Sequence, residues 1–180
     1  AKDSADSANA IRTSTLTFGI PEPWASYQTL SIVDTLADSD ERDLVFADGT
    51  VLSLEGAHLP GTGDTLDFTL TPVAESMVDL ENIRDDMAFV GVARTLAATT
   101  GERSTVELSG EPTLTLHYPQ YEVGGLDESD FGIFSWVPET ERWILLGGGA
   151  TPASNAVTSR IRGLGLYGVF YWEALDVGDS

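Results

Sequence analysis

The residues able to carry acid–base, nucleophilic or metal chemistry are few in kind and scattered along the chain. There is no cysteine, so a thiol nucleophile, a thiolate metal site and a disulfide framework are all excluded. The only histidines are His58, in a glycine-rich stretch, and His117, on the polar side of an alternating segment. A hydrolase needs a nucleophile, a base and a group that orients the base. No Gly-x-Ser-x-Gly elbow marks a serine for that role. Carboxylates number 29, enough for a glycosidase pair, but spacing along the chain selects no particular two.

Two runs of acids have the composition of a calcium loop. Asp34, Asp38, Asp40, Glu41 and Asp43 crowd one, and Asp127, Glu128 and Asp130 crowd the other. Calcium takes six to eight oxygens from such loops. The first run names Asp34, Asp38, Asp40 and Asp43 as candidate calcium ligands, although Arg42 interrupts it and neither run completes the calcium-hand pattern. Solvated loops are the competing reading, and the second run also suits the opening of a helical turn, where acids meet the positive end of the helix dipole. Flat aromatic rings stack on sugar faces, which makes Trp24, Tyr27, Trp136 and Trp143 candidate ligand or partner residues. The competing reading puts Trp136 and Trp143 in the core, among Phe131, Ile133, Phe134, Ile144 and Leu145, and Trp24 and Tyr27 at a plug on one end of the fold.

The elements that must position these groups are strands. In residues 112–118, Leu114, Leu116 and Tyr118 alternate with Thr113, Thr115 and His117, the period of a strand with one buried face. Residues 131–136, 142–146, 155–161 and 165–172 follow as further strands separated by polar or glycine-rich turns. Upstream, alternation predicts strands at 11–18, 28–33, 64–72, 88–93 and 104–108, with a turn from Leu96 to Glu102. Leu44 to Phe46 and Thr50 to Leu54 form a hairpin around Ala47-Asp48-Gly49. Residues 75–86 are the only stretch with any helical periodicity, and it is weak. The sum is an all-β fold, an antiparallel β-sandwich of about twelve short strands with little or no helix. Residues 1–11 read as an N-terminal tail, 12–173 as the sandwich, with two sub-layers able to meet near 96–110, and 174–180 as a C-terminal tail.

The net charge is −20, from 29 acids against nine basic residues, and it opposes nucleic acid, whose phosphates are bound by Lys and Arg. A solvated surface suited to salt and a surface for a basic partner both account for this acidity. No apolar run approaches the ~20 residues a bilayer-crossing helix needs. The opening Ala1, followed by small polar residues, reads as a mature N-terminus left by signal-peptide removal, and hence as an exported protein, periplasmic or at the cell surface.

Two pieces of the chain carry a resemblance. Asp48-Gly49-Thr50-Val51, then Gly56-Ala57-His58-Leu59-Pro60, then Leu70-Thr71-Pro72-Val73 stand in an order that resembles the opening of the sandwich domain shared by zonula-occludens proteins, netrin receptors and ankyrins. Residues 112–170 are similar to the tail of its bacterial relatives, in which an acidic turn, a Trp-containing strand and a last strand near Tyr-Gly-Val-Phe follow one another. The resemblance covers about two-thirds of the chain. It implies a non-enzymatic module that offers surfaces to partners. Some members of that family cut their own chain at a His-Phe-Ser near the final strand. The matching place here reads Gly163-Leu164-Gly165-Leu166-Tyr167, so self-cleavage is not expected.

These readings lead to a non-catalytic, exported β-sandwich as a structural or accessory subunit of a surface or envelope assembly, with other subunits or its own copies as partners and no cofactor, calcium apart. A segment such as Ser4 to Thr17 would pair with a neighbour's sheet edge. The alternatives are a carbohydrate-binding module that takes polysaccharide on surface aromatics, and a hydrolase whose site the sequence does not mark.

Overall fold

The computed structural model describes residues 30–35, 42–54, 65–73, 78, 83, 87–100 and 106–173. Eleven strands make up this body: β1 (Leu30–Thr35), β2 (Arg42–Val45), β3 (Val51–Leu54), β4 (Thr65–Val73), β5 (Met87–Thr100), β6 (Thr113–His117), β7 (Phe131–Val137), β8 (Arg142–Gly147), β9 (Gly149–Thr151), β10 (Ala156–Arg160) and β11 (Gly165–Trp172). They form a six-stranded sheet in the order β1-β4-β5-β11-β7-β8 and a five-stranded sheet in the order β2-β3-β6-β10-β9. All described pairings are antiparallel. The all-β sandwich expected from alternation is the fold.

Alternation sets which side chains meet. Leu52 and Leu54 of β3, Leu114 and Leu116 of β6 and Val157 of β10 point from the five-stranded sheet onto Phe68, Leu70, Val90, Leu96, Phe131, Ile133 and Val169 of the other. The apolar area these side chains remove from water, at roughly 25 cal/mol per Å², is the main force holding the layers together. The predicted hairpin is β2 and β3, and Gly49 takes the positive φ of 89° that its turn requires.

Two local predictions need correction. A turn is expected from Leu96 to Glu102, yet β5 continues to Thr100, because Leu96 and Ala98 keep the inward alternation while Phe68 and Leu70 of β4 pair beside them. A strand is expected at 104–108. Val106 and Leu108 are buried, but 106–108 are not in a strand, and one backbone bond, Val106 N–H to the Ala98 carbonyl at 3.0 Å, ties them to β5. β9 is a strand the sequence reading missed, a three-residue piece in a glycine-rich run with no alternation to show it. Gly147 and Gly148, with φ of 98° and 115°, turn the chain from the edge of one sheet into the edge of the other. A Cβ on Gly148 would lie 2.8 Å from the Thr158 carbonyl oxygen, so only glycine fits that corner. The predicted strand at 11–18 and the weak helical stretch at 75–86 lie outside the described residues, Val78 and Ile83 excepted.

Candidate functional site

The outer face of the six-stranded sheet carries a second apolar cluster. Ala93 of β5, Phe134 of β7, Trp143 of β8 and Phe170 of β11 are buried there, with Phe89, Trp136, Leu145 and Trp172 half-buried around them. Phe170 lies at the centre, its ring 4.8 to 5.1 Å by centroid from those of Phe89, Phe134 and Trp143. Two glycines make the room. Phe170 lies across from Gly132, and Phe134 across from Gly168. A Cβ on Gly168 would lie 3.0 Å from the Phe170 ring and 3.2 Å from that of Phe89. Val78 and Ile83, from the connection between β4 and β5, pack onto this layer.

Trp136 and Trp143 are brought together as a cross-strand pair, as their positions around the hairpin predict. Their planes are inclined by 59° with centroids 5.6 Å apart, and Trp143 is only 8% exposed. Rings so tilted fill space and do not present a common flat surface to a sugar. Trp24 and Tyr27 lie outside the described residues.

Of the acidic candidates in the first run, two lie on described strands. Asp34 lies on β1 across from Leu66, and Asp43 lies on β2, exposed, where its carboxylate accepts a 2.6 Å bond from the Ser53 hydroxyl. Asp38, Asp40 and Glu41 lie outside the described residues. Among the described residues no three His, Asp or Glu side chains are grouped to hold a metal ion. The second acidic run opens a 3₁₀ turn, Glu128–Asp130. Asp127 caps it, accepting from the Ser129 hydroxyl at 2.7 Å and backbone N–H at 3.0 Å, and these bonds lower its carboxyl pKa.

Among the described residues, several of the polar groups inside join parts of the scaffold. Arg94, on the inward face of β5, donates through Nε to Asp48 at 3.0 Å, and Asp48 accepts a further 3.0 Å bond from the Thr50 N–H in the β2–β3 turn. This pair bolts one sheet to the other. β5 bulges where residues 91–93 oppose Gly168, and the Gly91 N–H, at φ 90°, donates to the Glu122 carboxylate at 2.6 Å. Tyr118, edge-on to Phe131, donates its hydroxyl to Glu128 and ties the end of β6 to the turn before β7. Burial first, then that bond and the Glu128 charge, raise the Tyr118 phenol well above its ordinary pKa. Tyr167 donates to the Gly163 carbonyl four residues back at 2.5 Å, a tyrosine-corner arrangement, and burial pushes its phenol up to about 12. Sequence reasoning missed Arg94 and Glu122. A single arginine inside the strand sequence of β5 is the signal that could have found the first, and Glu122 had none.

His117 is exposed, its Nδ1 lying 3.1 Å from the Ser154 carbonyl oxygen. A Cβ on Gly49 would lie 3.2 Å from its ring, so the imidazole packs on the β2–β3 turn. Comparison with known proteins finds no family model, curated protein or solved structure that matches this chain.

Proposed function

We propose that this chain is a non-catalytic β-sandwich interaction module, exported, and acting as a structural or accessory subunit of a cell-surface or envelope assembly. The observation that carries the reading is the use made of the inward ionisable groups. Arg94 with Asp48, Glu122 with the Gly91 amide and Tyr118 with Glu128 each join two elements. A catalytic acid or base needs a lone pair or proton free to meet substrate, whereas these are engaged in holding the sheets. The resemblance to the sandwich domain of zonula-occludens proteins, netrin receptors and ankyrins supports the same reading. Its partners are other subunits or copies of itself, joined by strand addition from the N-terminal segment. Deleting residues 1–11 tests this: the account expects a folded monomer that no longer assembles, and unimpaired assembly of the deletion variant contradicts it.

A further inference from the structure

The β2–β3 turn holds the one Asp-Gly pair of the chain, Asp48-Gly49, and the sequence has no Asn-Gly. Asp-Gly is the dipeptide that rearranges most readily, because glycine has no side chain to shield its amide nitrogen from the aspartyl carboxyl before it. In that step Gly49 N bonds to Asp48 Cγ, and the carboxyl OH leaves with the Gly49 amide proton as water, closing a succinimide ring. Water then opens the ring. Opening at Cγ restores aspartate. Opening at the main-chain carbonyl carbon gives isoaspartate, in which the backbone runs through the side-chain methylene and the free carboxylate sits on Cα.

The folded turn opposes each part of this step. The Gly49 N–H donates to the Phe46 carbonyl at 2.9 Å, which ties the attacking nitrogen back into the turn. The carboxyl that must swing onto it is held at both oxygens, Oδ1 by the Thr50 N–H and Oδ2 by Arg94 Nε, each at 3.0 Å. The His117 ring lies against Gly49, where a Cβ would meet it at 3.2 Å. Phe46 and Thr50 flank the turn and His117 belongs to its own sheet, whereas Arg94 reaches it from β5 of the opposite sheet. The structure assigns Asp48 as an isoaspartate site that the tie between the sheets keeps closed, with Arg94 as the residue that guards it. The consequence runs one way. Isoaspartate lengthens the main chain of the turn by a methylene and draws the carboxylate back to Cα, so Arg94, whose side chain is 8% exposed, loses its partner. A local opening of the sandwich at this turn is thereby made permanent, as a covalent change that leaves the mass of the chain unaltered.

The test incubates the full chain for weeks at neutral pH in heavy-oxygen water, native and unfolded in urea, beside native Arg94→Met and Phe170→Ala, and follows the peptide that contains Asp48. Each ring opening inserts one heavy oxygen, and electron-transfer fragmentation distinguishes isoaspartate from aspartate. Conversion at Asp48 is expected to be about tenfold slower, or more, in the native chain than in the unfolded one, since it must wait for local opening. Arg94→Met, folded by circular dichroism, is expected to convert several-fold faster than the native wild type, and Phe170→Ala, weakened on the outer aromatic face, to keep the wild-type rate. Equal rates in Arg94→Met and the wild type, or equal acceleration in both variants, overturn Arg94 as the guard. A native chain that converts as fast as the unfolded one, or an unfolded chain that leaves Asp48 intact, overturns the site itself, and both of these arms use the wild type alone.

Discussion

The two sheets are finished differently on their outer faces. The five-stranded sheet turns Asp43, Ser53, Thr115 and Thr158 outward, and they bond among themselves, Ser53 to Asp43 at 2.6 Å and Thr115 to Thr158 at 2.8 Å. The six-stranded sheet turns outward Phe89, Phe134, Trp136, Trp143, Phe170 and Trp172. One face is made for water and the other is a second core. A sheet with apolar residues on both faces needs a cover on each, which Val78 and Ile83 begin to supply.

The largest expected effect separates these faces. Phe170→Ala removes a ring that is 0% exposed and touches three others, and it is expected to cost ~3–5 kcal/mol, as much as Phe68→Ala in the inter-sheet core. Thr158→Ala on the outer five-stranded face is expected to change stability by less than about 0.5 kcal/mol. Urea unfolding of the three variants checks this, and a Phe170→Ala cost near that of Thr158→Ala removes the second core from the account.

Much of this contrast is legible in the sequence, and the reason lies in period. Leu114, Leu116 and Tyr118 against Thr113, Thr115 and His117 state a sheet with one wet face, and the structure has it so. Strand β11 is apolar on both sides, Tyr167 and Val169 facing in while Phe170 and Trp172 face out, and a continuous run of that kind says that both faces are covered without saying by what. The tryptophan pair was placed correctly beside the β7–β8 turn because hairpin register follows from the turn. The corner at Gly147–Gly148 and the salt link from Arg94 to Asp48 depend on which strands the fold brings together across 46 residues, and no local pattern encodes that.

The tie between the sheets gives the next effect. Asp48→Ala leaves Arg94, whose side chain is 8% exposed, without its carboxylate, and a loss of about 3 kcal/mol is expected in thermal or urea unfolding. Arg94→Met with Asp48→Ala together is expected to recover part of that loss, since no buried charge then remains. Recovery absent from the double variant means the pair acts through packing alone.

A smaller effect appears in alkali. Burial raises the Tyr167 phenol from 10.0 to about 12, so the folded chain holds this proton more tightly than the unfolded one. Its contribution is complete below the unfolded value and is lost as pH rises from 10 towards 12. Stability is therefore expected to fall above pH 10, and Tyr167→Phe, less stable at neutral pH for want of the bond to Gly163, is expected to show a shallower alkaline decline. Urea midpoints at successive pH values read the difference, and equal slopes contradict the shift.

The proposal that the chain is an interaction module joined through its N-terminal segment is tested most directly by sedimentation of the full chain beside a variant lacking residues 1–11 across a range of concentrations. The account predicts that the full chain associates as concentration rises while the deletion variant, equally folded by circular dichroism, stays monomeric; the same association in both contradicts it.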